Sequence, residues 1–438
     1  MEHKCKLLII SNECLSNSSS NGRTLKNFLI GWDKEKIAQF CVKFSLPDYS
    51  ICNNYYYVSD KQAIYSLLRK EHVRESIEDK QRMGLNSSKK FVGTNPKKRN
   101  AVTMLLRDII WQSNQWMGDD FLNWVENFSP DIILLQAGDN GFMLKLARNL
   151  SEKYNLPLII YNSENYYFKE YDYFRATGIA HWFYPIYRKH FHKQFDLTMK
   201  RANKSVYICE TLQEDYDRVF GLPSETIYTA TEMKERKKYY KNHNFRVSYL
   251  GNVGVGRSEP LIEIAKILHE LDSNCYLDVY GKIPDISIKK MFDKCNGIRC
   301  KGFVSYDECV KIMHESDLIV HAENFSPFFR EGLKRAFSTK IADSLACGTS
   351  FLLYAPEEIA CSQYLKKYEA AFVATSKKEL KEILTMLYND PSKRLMHIKK
   401  AKDLVKKNHS MDKNARRFQK IIMEEYLRFN GKKTEEDK

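Results

Sequence analysis

FSTKIADSLACGTSFLL, residues 337–353, is the stretch on which the fold turns. Its first half reads as a short helix opened by Ser338 and Thr339, and Gly348 stops that helix and lets the chain run into the apolar strand SFLLY. Helix, glycine and buried strand make one step of a βα repeat. The same step recurs on both sides. Before it come the strand RVSYLG from Arg246, a helix at about 260–271, the strand CYLDVYG, a helix near 286–292, the strand IRCKG, a helix at 306–314 and the strand DLIVH. After it come a further helix and the strand AAFVA. Such alternation predicts an α/β, doubly wound, mostly parallel sheet.

The first half of the chain carries the rhythm more loosely. LLII is a strand, SNECLSNSSSNGRT a polar loop and LKNFLIGW a helix, with a second strand expected over 41–46. Helices are predicted at 101–116, up to Phe128 and at 144–154, and strands at DIILLQ and 157–161. Residues 61–100 are highly charged and read as an excursion. A chain of 438 residues exceeds what one core serves. The expected plan is a Rossmann-like domain over 1–230, a charged linker over 231–244, a second Rossmann-like domain over 245–409, and a C-terminal helix over 410–438 that can pack back on the first domain. Two such domains facing each other would leave a cleft at the carboxyl ends of their strands, where ligands bind in sheets of this type.

Lys and Arg outnumber Asp and Glu by 70 to 55, a formal charge of +15 that favours anionic partners: nucleotide phosphates, nucleic acid or an acidic membrane. The basic residues are dispersed and no recognition module is evident, which argues against nucleic acid. Eleven cysteines without a CxxC pair suggest neither a disulfide framework nor a zinc site, and read as reduced thiols. Neither a signal peptide nor a spanning segment is apparent, so a cytoplasmic protein is expected, at most peripheral on the inner membrane face. The stretch 166–195 mixes aromatics with Lys, Arg and His, which suits a lipid headgroup layer, single-stranded nucleic acid or an amphipathic core helix.

Several residues carry chemistry. At a helix start, Ser338 and Thr339 offer free N–H groups and the positive end of the dipole to an anion, and Lys340 adds a full charge. Asp343, on the same helix face, lies within reach of a sugar diol attached to that anion. GNVGVGR, residues 251–257, follows a strand; its spacing is incomplete for a dinucleotide fingerprint, but its glycines admit a ligand and Arg257 can bond a diphosphate. In the first domain Gly22 offers a close approach before a helix, beside Arg23. Asp215-Tyr216-Asp217 spells DxD inside a helical run, and His190-Phe191-His192 cannot put both rings on one helix face, so no metal is expected.

The segment STKIADSLACG, with YLGNVGVGR, VYG, CKGFV and DLIVHAENF in order before it, resembles the donor domain of retaining GT-B glycosyltransferases, the group of bacterial capsule, teichoic-acid and lipopolysaccharide-type sugar transferases. The resemblance implies two Rossmann-like domains facing across a cleft, the first on the acceptor side and the second binding a nucleotide-sugar. It implies donor binding by Gly22, Arg257, Phe303, Val304, Ser338, Thr339, Lys340 and Asp343, with Asp343 standing where the family usually has Glu and Phe303 and Val304 meeting the base. The family's first acid falls at Arg335 here, so Glu323 and Glu331 are the nearest candidates for the sugar contact, and Glu164, where a His is common, could orient or deprotonate the acceptor. The activity implied is hexosyl transfer to a lipid-linked or polymeric glycan in polysaccharide biosynthesis, with retention, by a front-face displacement that needs no cofactor. A sugar-nucleotide epimerase of GT-B fold and a basic nucleic-acid-binding protein are the rival readings.

Overall fold

The computed structural model describes residues 5–16, 19–43, 46–69, 99–169, 171–237, 245–254, 256–283 and 285–436. The chain divides into two compact units, Met1–Ile227 with Asn414–Lys438, and Tyr228–Lys413.

The first unit is built on seven strands: β1 (Leu7–Glu13), β2 (Ile37–Lys43), β3 (Asn54–Tyr57), β4 (Ile132–Gln136), β5 (Leu158–Asn162), β6 (Lys204–Tyr207) and β7 (Ser224–Thr226). They pair in the order β3-β2-β1-β4-β5-β6-β7, every pair parallel. β4 and β5 read IILLQ and LIIYN and are buried throughout, as strands covered on both faces must be. The helix Met411–Glu436 completes this core. Phe418 stacks on Phe28 with ring centroids 4.7 Å apart, and Gln419 donates to the carbonyls of Phe28 and Ile30.

The second unit holds β8 (Val247–Leu250), β9 (Leu277–Tyr280), β10 (Ile298–Gly302), β11 (Leu318–Ala322), β12 (Ser350–Tyr354) and β13 (Phe372–Ala374). Their order is β10-β9-β8-β11-β12-β13, again parallel throughout. Leu277, Leu318, Val320 and Leu352 pack with Leu261, Ile264 and Leu268 of the helix Ser258–Leu271 into one apolar core.

The differences from the sequence expectation have local causes. β2 starts at Ile37, not 41, and of the expected strand 41–46 residues 44 and 45 lie outside the described residues. β3, β6 and β7 went unread because NYYY, KSVY and SET are short and polar. Asn21-Gly22-Arg23-Thr24 belongs to the helix Ser20–Phe28 rather than to a loop, because Ser19 caps that helix by accepting from Gly22 N–H. Of the charged stretch 231–244, residues 238–244 lie outside the described residues. Its first seven residues lie on the second unit: Thr231 bridges to Ser410, Arg236 donates to the carbonyls of His314 and Ser316, and Met233 is buried. Most of the charged excursion, residues 70–98, lies outside the described residues. Among those described, no helix is long and apolar enough to cross a membrane.

Candidate functional site

The three neighbouring strands β10, β9 and β8 reach their carboxyl ends at glycines. Gly251 N–H donates to the Tyr280 carbonyl and Gly281 N–H to the Gly302 carbonyl, both at 2.8 Å, so the ladder continues one step past each strand. A Cβ on Gly281 would stand 1.9 Å from the Gly251 carbonyl oxygen, and one on Gly251 would meet Lys340 Cε at 2.6 Å. Only glycine lets these strand ends close up and lets the Lys340 side chain lie across them.

Above the glycines lies a cavity of about 630 Å³, inside the range of small-ligand sites. Leu250, Met313, Val320 and Met233 give it an apolar lining, Phe303 and Val304 enter from the connection after β10, Tyr306 from the start of the helix Tyr306–Glu315, and Lys340 and Asp343 come from the helix Lys340–Ala346. Phe303 is largely exposed, and the Lys282 ammonium sits 5.4 Å from its ring centroid. The Thr231 hydroxyl holds Asp343 Oδ1 and accepts from Met233 N–H at 2.9 Å, so the carboxylate is oriented by the segment that the sequence assigned to a linker.

Burial first, and then the like charge of Arg257, push the Lys340 ammonium below its ordinary value; Glu323 and Asp343 oppose them. A cation kept out of water beside another cation is a place where an incoming anion gains more than it would in solvent. Arg257 itself is clamped. Its Nε and Nη2 donate to the two carboxylate oxygens of Glu323 at 3.0 and 2.6 Å, and Nη1 reaches the Asn252 carbonyl at 3.4 Å. His321 Nε2 donates to Glu323 Oε1 at 2.9 Å. Burial works against the charge of Glu323, but His321 and Arg257 outweigh it and hold the carboxyl at about 2. Burial lowers His321, and the hydrogen bond and charge of Glu323 oppose it. The ring lies parallel to that of Tyr249, centroids 6.4 Å apart.

Phe303, Val304, Lys340 and Asp343 thus line one cavity. Arg257 stands behind the Asn252 wall and within electrostatic reach of Lys340. Ser338 and Thr339 lead into the helix, but Thr339 makes no side-chain cap and Ser338 N–H is turned to Cys361 Sγ at 3.4 Å. Glu323 is the buried partner of Arg257, and Glu331 of the helix Pro327–Leu333 pairs with Arg335 just beyond it at 3.0 Å. Glu164 and Gly22 belong to the first unit. Glu164 is exposed just past β5, and Gly22 is packed so that a Cβ would meet the Cys14 carbonyl at 2.4 Å. Asp215 and Asp217 do lie in a helix, Glu210–Phe220, and accept from Arg218 and Ser224.

Sequence reasoning missed His321, Thr231 and Met233. The spacing His321-x-Glu323 at a strand end carried the first signal, since alternate residues share a face. Nothing in the sequence marked the other two, because they reach the site only through the return of the chain.

Residues 257–420 match the family model described as Glycosyl transferase-like. No curated protein matches the sequence. Among solved structures, HepE of Anabaena in complex with UDP superposes with a TM-score of 0.60 at 10% identity, over 96% of this chain and 100% of that one. Sucrose-phosphate synthase of Thermosynechococcus elongatus does so with 0.63 at 9%, over 96% and 99%. WaaG, a glycosyltransferase involved in lipopolysaccharide biosynthesis, gives 0.57 at 9%, over 95% and 99%. Two parallel Rossmann-like sheets in the order seen here, matched along nearly the whole chain by these structures, make the fold that of the GT-B glycosyltransferases.

Proposed function

We propose that this chain is a glycosyltransferase whose second unit binds a nucleotide-sugar in the cavity over Gly251 and Gly281. The observation that carries the reading is the desolvated Lys340 ammonium at the strand ends, in the same cavity as Asp343, Phe303 and Val304. In this arrangement Lys340 meets the diphosphate, Asp343 takes the ribose diol, and the connection holding Phe303 and Val304 covers the base. Lys340 carries the charge that stabilises the leaving diphosphate, with Arg257 held behind it by Glu323 and no resident metal in the step. The UDP held by HepE makes a uridine nucleotide the first donor to try. Hexosyl transfer proceeds with retention, by a front-face displacement in which the leaving diphosphate oxygen takes the acceptor proton. The acceptor, a lipid-linked or polymeric glycan of a surface polysaccharide, is assigned to the first unit, where Glu164 stands exposed past β5.

Thermal melting against UDP-, GDP-, ADP- and CMP-sugars tests this. A matching donor at about a hundred times its Kd adds about 2.7 kcal/mol and raises Tm by roughly 5–10 °C. Lys340→Ala should abolish that rise without changing the unliganded melt. An unchanged response in the variant would remove Lys340, and with it this donor site, from the reading.

A further inference from the structure

In the first unit the short helix Ile179–Trp182 leads into the helix Tyr184–Arg201, which turns its phenolic rings inward. Tyr187 donates to the Asp139 carbonyl at 2.9 Å and Tyr184 to the Tyr171 carbonyl at 2.5 Å, while Arg188 is spent on the carbonyls of Tyr166 and Tyr167. What remains outside is a different set of side chains. Ile179 is 77% exposed, Trp182 80% and Ile186 55%. The helix Ala101–Gln112 packs against both of these helices and shows Leu106 and Ile109 at 54% and 65%, and the helix Asp60–Arg69 beside it shows Leu68 at 73%. Large apolar side chains this exposed on four adjoining helices mark a docking surface.

Among the described residues the exposed charge on the long helix has one sign. Beyond Ile186 the outer face of the long helix continues through Lys189, Lys193, Leu197 and Lys200, all exposed. Between residues 173 and 209 the only acid is Asp196, which accepts from the Tyr167 hydroxyl at 2.8 Å. Asp172, just before, is buried against His181, and Asp60 on the flanking helix is taken by Arg107 and Trp111. A tryptophan and aliphatic tips ahead of a row of exposed lysines fit the boundary of a bilayer, where the rings and methyl groups enter the acyl margin and the ammonium groups stay among anionic headgroups. A protein partner fits less well, since lysine is depleted from such interfaces, and exposed Ile and Leu give a nucleic acid nothing to stack on.

We propose that this face of the first unit, centred on Ile179, Trp182 and Ile186 with Lys189 and Lys193, docks the protein onto a membrane surface carrying anionic lipid. The inference narrows the membrane expectation raised by 166–195 to particular outward residues, and it stands apart from the nucleotide-sugar reading because its test needs neither donor nor acceptor. The full chain is sedimented with vesicles of phosphatidylcholine, with and without phosphatidylglycerol. The parent should pellet with the anionic vesicles and be released by salt. The double variant Ile179→Ser/Trp182→Ser, altered only at exposed positions and melting like the parent, should bind at least about tenfold more weakly. Lys189→Glu and Lys193→Glu should each cost about fivefold or more. Three results would overturn the proposal: a parent that stays in the supernatant, variants that bind like the parent, or a face that instead drives self-association or captures single-stranded nucleic acid in a manner lost with Trp182→Ser.

Discussion

The carboxyl edges of the two sheets occupy the same topological place and are finished in opposite ways. In the second unit the ends of β10, β9 and β8 are glycines, and side chains from elsewhere, Lys340 above all, come in over bare backbone. In the first unit the corresponding edge carries side chains of its own. Asn140 donates to Asn12 at 2.8 Å, Arg99 pairs with Asp139 at 2.5 Å, and Tyr187 and Tyr173 share a hydrogen bond of 2.8 Å over Asp139. Parallel topology therefore fixes where a ligand site can be, and the residues at the strand ends decide whether the place is open backbone or a cross-linked polar network.

The strongest way to break this comparison is to give the second edge a side chain. Gly281→Ala puts a Cβ against the Gly251 backbone, which cannot yield as a flexible side chain does. A loss of about 3 kcal/mol or more is expected in urea denaturation. In the first unit, Gly138→Ala meets only the end of the Asn12 amide, at 2.7 Å, and should cost about 1 kcal/mol. Equal costs for the two would erase the distinction.

The next test compares ion pairs. Glu323→Ala strands the Arg257 guanidinium in the interior and should destabilise by about 3–5 kcal/mol. In the first unit Lys153→Ala removes one partner of a pair in which both Lys153 and Glu126 are half-exposed, and should cost about 1 kcal/mol or less. Because the Glu323 carboxyl is held at about 2 against an ordinary 4.5, its stabilisation is complete above about pH 4.5 and is lost as the pH falls toward 2. Denaturation midpoints that do not separate the two variants would show that burial is not what matters.

The third test concerns pH and also lies in the second unit. His409 Nδ1–H donates to the Thr229 carbonyl at 2.7 Å, and Nε2 accepts from the Tyr364 hydroxyl at 2.9 Å, so the ring is buried neutral. Burial lowers it from 6.5 to about 4, against the pull of the Thr229 carbonyl. The unfolded chain takes up this proton near pH 6.5 and the folded one only near 4, so stability is complete above 6.5 and falls as the pH drops toward 4, by roughly 3 kcal/mol in all. His409→Gln should flatten the melting temperature over that window. A slope unchanged by the substitution would assign the acid sensitivity to other groups.

The aromatic stretch 166–195 shows where sequence reading stops. Its composition suits a membrane layer as a whole, yet Tyr184, Tyr187, Phe191 and Phe195 are buried, while Ile179, Trp182, Phe183, Ile186, Lys189 and Lys193 face outward. Helical spacing alone does not say which face a neighbour covers when both are apolar.

By itself the sequence determined the repeating strand–helix order, the glycines at the ends of YLG, VYG and CKG, and the grouping of Lys340 with Asp343 one turn apart, because propensity, turn chemistry and helical spacing act over a few residues. Only the tertiary structure decided that Arg257 is clamped by Glu323 and His321, that Thr231 holds Asp343, and that Met233 closes the cavity. Those contacts join residues up to 112 positions apart, and burial and hydrogen-bond partners at such separations are fixed by how whole elements pack.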